Sequence, residues 1–175
     1  MASDIQKIQH LYSRAGSGLS PHEFGQFSKL SLEQAIEELF KNSQKFDPIN
    51  TEEDFFVSKE KFRKASKEKK RELKKLARKR IKNINYECLR RMAFEKSQLQ
   101  EKMTIFWHNH FSSFSIFPGW VLKQNNLIRE HALGNFGDML MGITKDPMMI
   151  TYLNNQQNKK GHPNENFARE VMELF

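Results

Sequence analysis

The hydrophobic residues of this chain recur at intervals of three and four, which predicts α-helices and no strands. In the first 42 residues, three short amphipathic runs each follow a serine that has Gln or Glu three positions later. That spacing predicts capping boxes, in which the two side chains bond each other's backbone amides. The pairs are Ser3 with Gln6, Ser20 with Glu23, and Ser31 with Gln34. We therefore expect three short helices before a loop at residues 42–53.

Residues 54–95 predict either one long helix or two helices in series. In its second half, apolar side chains form one continuous stripe on one face. The stripe consists of Leu73, Leu76, Ala77, Ile81, Ile84, Cys88 and Met92. Upstream the stripe thins to Phe62 and Ala65, and charged side chains cover every face. We therefore expect the first half of this region to project into solvent.

The rest of the chain predicts further helices. Ser97 with Gln100 predicts a fourth capping box, a helix resumes near Val121, and Asp146 is an N-cap followed by Pro147. The final helix has an apolar stripe of Phe167, Val171, Leu174 and Phe175. The fold class is therefore all-α. We expect a single domain over residues 1–175, an irregular bundle of about seven helices with one long basic helix partly projecting.

The net charge of +8 comes from one segment. Residues 59–82 hold fourteen Lys/Arg and three Glu, a net of +11, whereas the remaining residues hold fifteen basic and eighteen acidic side chains, a net of −3. We interpret residues 59–82 as a basic helical insertion. It can bind nucleic acid nonspecifically through phosphates, but such charge is also typical of a solvated helix face. Its only aromatic residue for base stacking is Phe62.

The cysteine content and the N-terminus bear on the compartment. Cys88 is the only cysteine, so no internal disulfide can form, which is compatible with a reducing compartment. Residues 1–16 lack the apolar core of a signal peptide, and no window approaches about 18 uninterrupted apolar residues. We therefore expect a cytoplasmic protein that does not enter membranes.

Histidines supply the candidate chemistry. In "FWHNHF", residues 106–111, His108 and His110 diverge by about 200° around a helix, so they cannot both face one ion. His110 and His131 each fall on an apolar face and are predicted to point inward. Imidazole and carboxylate groups exchange protons near neutral pH, and both bind transition metals. The sequence therefore predicts catalytic residues His110, His131 and Glu170, with His110 and His131 as ligands of a divalent transition metal.

Polar residues around the final helix complete this candidate site. The predicted binding residues are Asn164, Glu165, Asn166 and Arg169, and Glu165 can pair with Arg169 at i,i+4. An alternative stays open, because any buried polar group needs a hydrogen-bond partner whether or not chemistry occurs. In that alternative the histidines bond backbone carbonyls and the asparagines cap the helix. Residues 90–91 and 129–130 are interpreted as surface pairs, and Cys88 as a core thiol.

Several long segments resemble one known family. They are "HLYSRAGSGLSPHEF", "CLRRM", "LQEKMTIFWHNHFSS", "QNNLIREHALGNFGDMLMGITKDPMMITYLNNQQN" and "HPNENFAREVMELF". In this order they are similar to the bacterial domain-of-unknown-function 1800 family over residues 8–42 and 86–175, with the basic segment outside the match. Two positions depart from the family pattern. Ser17 stands where an aromatic residue is usual, and Asn154 where Asp is frequent, which removes an anionic ligand.

The resemblance implies a mostly helical bacterial protein with no established activity. It also implies that the chain is an N-terminal fragment, with the missing C-terminal part of its own domain as a partner of the last helix. Three functions stay open, of which the first is the favoured hypothesis and the other two are alternatives. The first is a hydrolase-like or metal-assisted enzyme that uses the histidines and the last helix. The second is a non-catalytic structural or interaction module. The third is nonspecific nucleic-acid binding through residues 59–82.

Overall fold

The computed structural model describes residues 3–50 and 59–173, and within these ranges it contains ten α-helices and no β-strand. The helices are α1 (Asp4–Ala15), α2 (Pro21–Phe27), α3 (Leu32–Asn42), α4 (Lys59–Lys64), α5 (Lys67–Phe94), α6 (Gln98–His110), α7 (Pro118–His131), α8 (Phe136–Thr144), α9 (Pro147–Tyr152) and α10 (Asn166–Glu173). The all-α prediction is confirmed. The described part has more helices than the seven or so expected, because short breaks divide several of the runs.

The first three helices begin where the sequence predicts. Reciprocal capping boxes are present at the start of α1, α2 and α3. In α2, for example, the backbone amide of Ser20 donates to Glu23 Oε2 at 2.9 Å, and the amide of Glu23 donates to Ser20 Oγ at 3.3 Å. Each box satisfies two amide groups that a helix N-terminus would otherwise leave unpaired.

The fourth predicted capping box is wrong. Ser97 makes no side-chain hydrogen bond at the start of α6. Gln100 is instead 5% exposed, and its Nε2 donates to the Arg129 carbonyl oxygen at 3.2 Å. A buried amide gains more from a tertiary partner than from a cap, because an unpaired buried donor is costly. The following helix also begins at Pro118 rather than near Val121, since proline suits the first helical position.

Two hydrophobic clusters hold the helices together. The larger one is formed by Phe111, Ile128, Met139, Ile143 and Met149, from α6 to α9. The N-terminal one is formed by Ile8, Tyr12, Ala35 and Leu39, from α1 and α3. Leu99 of α6 packs against the N-terminal cluster, and Trp107 of the same helix packs against the larger one. Helix α6 therefore joins the two halves of the bundle.

The basic region consists of two helices in series. A break separates α4 from α5 at Ser66, whose Oγ accepts from the Lys69 amide at 3.2 Å. Within α5, Ile84 is only 1% exposed, whereas Leu76 nearer the N-terminus is 41% exposed. Helix α5 contacts α6 and α7. Its first half therefore lies at the surface, but the predicted projection into solvent is only partial, because Leu73 is half-buried and Phe62 of α4 contacts Phe117 with ring centroids 5.8 Å apart.

The chain that leads toward the basic region is anchored before it. The guanidinium of Arg91 donates to the carbonyl oxygens of Asp47 at 2.6 Å and Pro48 at 3.1 Å. Asn126 makes two hydrogen bonds with the backbone of Ile49, at 2.8 and 2.9 Å. Arg91 is only 8% exposed, so its interpretation as a surface residue is wrong. Arg91 is buried because its guanidinium is the hydrogen-bond donor for these two backbone carbonyls.

The C-terminal helix α10 rests on the larger cluster. Phe167 packs against that cluster, and Val171 is half-buried. The predicted stripe residues Leu174 and Phe175 lie outside the described residues. Met172 is 79% exposed. None of the helices in the described ranges combines the length and the apolar character that crossing a membrane requires.

Candidate functional site

His110 lies among aromatic rings at the C-terminal end of α6. Its imidazole is half-buried, with ring centroids at 4.9 Å from Phe111, 5.6 Å from Trp107 and 6.4 Å from Phe136. The ring of Phe106 is parallel to it at 6.5 Å. The inward direction predicted for His110 therefore agrees with its surroundings, which are aromatic.

His131 is the last residue of α7 and is half-buried. The indole Nε1 of Trp107 donates to the carbonyl oxygen of the next residue, Ala132, at 3.0 Å. This bond places the C-terminal ends of α6 and α7 side by side. Glu170 is half-buried on α10, whose Phe167 packs on the same cluster as Trp107. The three helices that carry the predicted catalytic residues thus share one core.

The predicted binding residues mostly bond the backbone of the loop before α10. The side-chain Nδ2 of Asn164 donates to the Asn154 carbonyl at 3.1 Å, and its Oδ1 accepts from the Asn166 amide at 2.9 Å. Asn166 Nδ2 donates to the Leu153 carbonyl at 3.5 Å. Glu165 and Arg169 are exposed and are joined through their backbones, Arg169 N to Glu165 O at 2.9 Å. These asparagines cap and brace the helix.

The predicted metal ligands do not form a complete metal centre by themselves. Within residues 3–50 and 59–173, no three His, Cys, Asp or Glu side chains come together in a way that could hold an ion. His110 and His131 would supply two ligands, whereas transition-metal sites in proteins usually have at least three protein ligands. The remaining positions would then have to be filled by water or by another group.

The strongest polar constellation is one that the sequence did not predict, a buried centre between α6 and α7. Arg129 and Glu101 are 1% and 2% exposed. They form a bidentate ion pair, in which Arg129 Nε donates to Glu101 Oε1 at 3.1 Å and Arg129 Nη2 donates to Glu101 Oε2 at 2.6 Å. The Arg129 guanidinium also donates to Asn125 Oδ1. The interpretation of Arg129 as a surface residue is wrong, because its charge is neutralised by a partner on another helix.

His108 completes this buried centre, although only His110 and His131 were singled out from the sequence. Asn125 uses its oxygen to accept from Arg129, so its Nδ2 is a donor toward His108 Nε2, 2.8 Å away. His108 Nε2 must then accept, which puts the ring proton on Nδ1. The same Nδ2 lies 3.4 Å from Cys88 Sγ. The ring is neutral, because burial and then the Arg129 charge lower the pKa of His108 to about 4.

The electrostatics of the centre favour stability over reactivity. Burial alone would lower the pKa of the Arg129 guanidinium, but hydrogen bonding and charge from Glu101 hold that pKa above its ordinary value. Burial raises the pKa of the Cys88 thiol, which therefore stays protonated and is a poor nucleophile. Hydrogen bonds link Glu101 to Arg129, Arg129 to Asn125, and Asn125 to His108. The centre is therefore a structural bridge between helices, which a sequence pattern could have suggested only through Asn125 and Arg129 at i,i+4.

A second buried network braces the loop after α6. Asp146 Oδ1 accepts from the amides of Met148 and Met149, each at 3.0 Å, and from Gln124 Nε2 at 2.9 Å. Gln124 Oε1 accepts in turn from Ser113 Oγ at 3.0 Å. Burial raises the pKa of the Asp146 carboxyl. The predicted N-cap is therefore also a tertiary link between α7, α9 and residue 113.

The basic helices form the most strongly charged described surface. From residue 61 to residue 82, every Lys and Arg is exposed except the half-buried Lys70 and Arg80. Lys64 pairs with Glu60 at 2.7 Å and Lys69 with Glu72 at 2.9 Å. Three glutamates cannot neutralise fourteen basic residues. A positive surface remains that is suited to a polyanion.

The fold and these side chains together define an all-α domain with a buried ion-pair centre and a basic helical surface. The chain belongs to the family described as "Protein of unknown function (DUF1800)", whose sequence model matches residues 10–175. This match confirms the resemblance, and its span includes the basic segment. No curated protein and no solved structure matches the chain.

Proposed function

We propose that this domain is a binding module for nucleic acids, which it contacts through the phosphate backbone with the basic segment, residues 59–82. The observation that carries the proposal is the exposure of most Lys and Arg side chains between residues 61 and 82. A solvated row of cations gains affinity for a polyanion, because each phosphate contact releases condensed counterions.

The shape of the basic segment supports this proposal. Sixteen residues of α5, from 67 to 82, extend for about 24 Å, enough to follow several successive phosphates. Since the rest of the chain has a net charge of −3, attraction to a polyanion is confined to this surface. A confined positive surface orients the bound strand, whereas charge spread over a whole protein would not.

The test is a matched pair of charge variants. One carries Lys74→Gln, Arg78→Gln, Lys79→Gln and Lys82→Gln; its control carries Lys29→Gln, Lys145→Gln, Lys159→Gln and Lys160→Gln. All eight side chains are exposed, and both variants lose the same charge. Binding of a labelled DNA strand is measured by fluorescence anisotropy between about 50 and 200 mM salt.

We expect the α5 variant to weaken binding and to flatten the salt dependence, by up to about 0.7–0.9 in log–log slope for each phosphate that is no longer bound. The control should keep the slope of the natural chain. An equal weakening in both variants would show that only net charge matters and would refute the proposal. Absence of salt-dependent binding by the natural chain would also refute it.

A second candidate function is the hydrolase-like or metal-assisted enzyme, for which the shared core of α6, α7 and α10 is the favouring observation. In this proposal His110 and His131 bind a divalent metal, Glu170 transfers the proton, and Asn164, Glu165, Asn166 and Arg169 orient the substrate. The test is the zinc content of the purified chain after dialysis against the metal. The variant His110→Ala/His131→Ala should lose zinc, whereas His10→Ala/His22→Ala should not. Equal zinc content in both variants would exclude these ligands.

A further inference from the structure

A groove runs along α5 where the helix meets the loop between α6 and α7. We call it the α5 groove; its volume is about 390 Å³. Helix α5 contributes positions 74, 77, 78, 81, 82 and 85, and the loop contributes Phe114, Ser115 and Ile116. The floor is apolar and the α5 side carries Lys74, Arg78 and Lys82. Such a lining suits a ligand that combines anionic groups with flat apolar ones.

The fold adds an exposed aromatic residue to the basic segment, whose own Phe62 packs against Phe117 with ring centroids 5.8 Å apart. Phe114 is 70% exposed, although it belongs to the loop after α6 and not to α5. An aromatic side chain so exposed buries little surface within the fold, so its ring face is open to a ligand. Nucleobases of any sequence stack on such a ring.

The loop that carries Phe114 is held in place on both sides. Ser113 Oγ donates to Gln124 Oε1 at 3.0 Å, and Ser115 Oγ accepts from the Phe117 amide at 3.0 Å. Ser115 is itself 9% exposed. Phe114 therefore projects from a braced loop, and a loop held in place loses less entropy when a base stacks on its side chain.

The cations on the other side of the groove form a regular row. Lys74, Arg78 and Lys82 are four residues apart on one face of α5, a repeat of about 6 Å. All three are exposed, and none forms an ion pair with any residue that the structure describes. Such a row can contact successive phosphates of one strand, and the preference for a single strand then depends on the exposed ring of Phe114.

We propose that the α5 groove is a subsite for single-stranded nucleic acid. One base stacks on Phe114, the adjacent phosphates contact Lys74, Arg78 and Lys82, and the exposed amide of Asn85 bonds a base edge. The proposal deepens the nucleic-acid binding proposed above and rests on it. A duplex can still bind the outer basic surface, but its stacked bases are not available to Phe114.

The test compares strand forms and two phenylalanine variants. The probes are labelled poly-dT of about 20 nucleotides and a duplex of the same length. Phe114→Ala removes the stacking ring, while Phe94→Ala, at a position 79% exposed at the end of α5 and outside the groove, is the control. Circular dichroism establishes that both variants fold. Phe114→Trp restores a stacking surface.

We expect the natural chain to prefer the single strand. Phe114→Ala should weaken single-strand binding about 5- to 100-fold and leave duplex binding within about twofold, and Phe114→Trp should restore it. Phe94→Ala should change neither. Equal single-strand and duplex affinities, both unaffected by Phe114→Ala, would overturn this inference while the phosphate-binding proposal stood. No binding of either probe would overturn both.

A further binding experiment distinguishes a protein ligand from a nucleic acid. An acidic amphipathic peptide of alternating Glu and Phe residues is titrated against the natural chain and Phe114→Ala. If that peptide binds and loses affinity with Phe114→Ala while poly-dT does not, the groove docks protein segments, and the single-strand assignment is wrong.

Discussion

The buried ion pair of Arg129 and Glu101 leads to the sharpest stability prediction. Glu101→Gln preserves the shape of the side chain but removes its charge, so the guanidinium of Arg129, 1% exposed, is left without a counter-charge. Breaking one side of such a pair costs about 3–5 kcal/mol. The free energy of unfolding of a domain is about 5–15 kcal/mol, so the loss is a large fraction of the total.

Urea unfolding followed by circular dichroism measures this loss. With a slope of about 2 kcal/mol per molar urea, the midpoint should fall by about 2 M. The matched control is Glu72→Gln, whose carboxylate pairs with Lys69 at 2.9 Å while both side chains are more than 60% exposed. Such exposed pairs contribute about 1 kcal/mol or less to the free energy of unfolding, so the urea midpoint of the control variant should barely change.

The double variant Glu101→Leu/Arg129→Met tests the physical reason. If the cost comes from an unpaired buried charge, removing both charges should restore most of the stability lost by Glu101→Gln. A Glu101→Gln midpoint equal to that of Glu72→Gln would refute the reasoning. So would a double variant no more stable than the single one.

Two further predictions concern His108 and Gly16. The pKa of His108 in the folded protein is about 4, below the ordinary 6.5, so the unfolded chain binds this proton more readily. The free energy of unfolding should therefore fall by about 3 kcal/mol as the pH is lowered from 6.5 to 4. Urea titrations at several pH values measure this dependence, and His108→Gln should remove the part that His108 contributes. An unchanged slope would contradict it. Gly16→Ala places a Cβ 2.2 Å from Gln98 Oε1 and 3.0 Å from the Tyr12 carbonyl oxygen, so it should lower the free energy of unfolding by about 1–3 kcal/mol. Gly25→Ala lies in open space within α2 and should raise the free energy of unfolding by about 0.5–1 kcal/mol. Equal melting temperatures for the two variants would refute the steric argument.

Local features of the fold were predictable because their causes are local. A serine followed by Gln or Glu at the third position stabilises a helix start by itself, so the boundaries of α1 to α3 followed from sequence. The Ser97–Gln100 pair has the same pattern but no such role, because Gln100 is buried against Arg129. Whether a polar side chain caps its own helix or pairs with another depends on packing that a linear pattern does not contain.

The candidate sites were less predictable for the same reason. Helical angles established that His108 and His110 face different directions, but not that His108 faces Asn125 and a buried charge. Whether Arg129 is buried depends on its partner Glu101, which is 28 residues away in the sequence. Phe114 lies beside the basic helix α5, although α5 ends about 20 residues earlier in the sequence. Their proximity therefore depends on the tertiary fold and could not be predicted from the sequence pattern.

The anchoring of residues 47–49 has a consequence for how this chain can vary. Arg91 and Asn126 hold that backbone on α5 and α7 just before the basic region. Changes in chain length directly after residue 50 can therefore be accommodated without moving residues 47–49, whereas changes inside α4 or α5 would displace Phe62 from Phe117, whose ring centroid is 5.8 Å away. Relatives of this domain should therefore differ in length most readily just after this anchor.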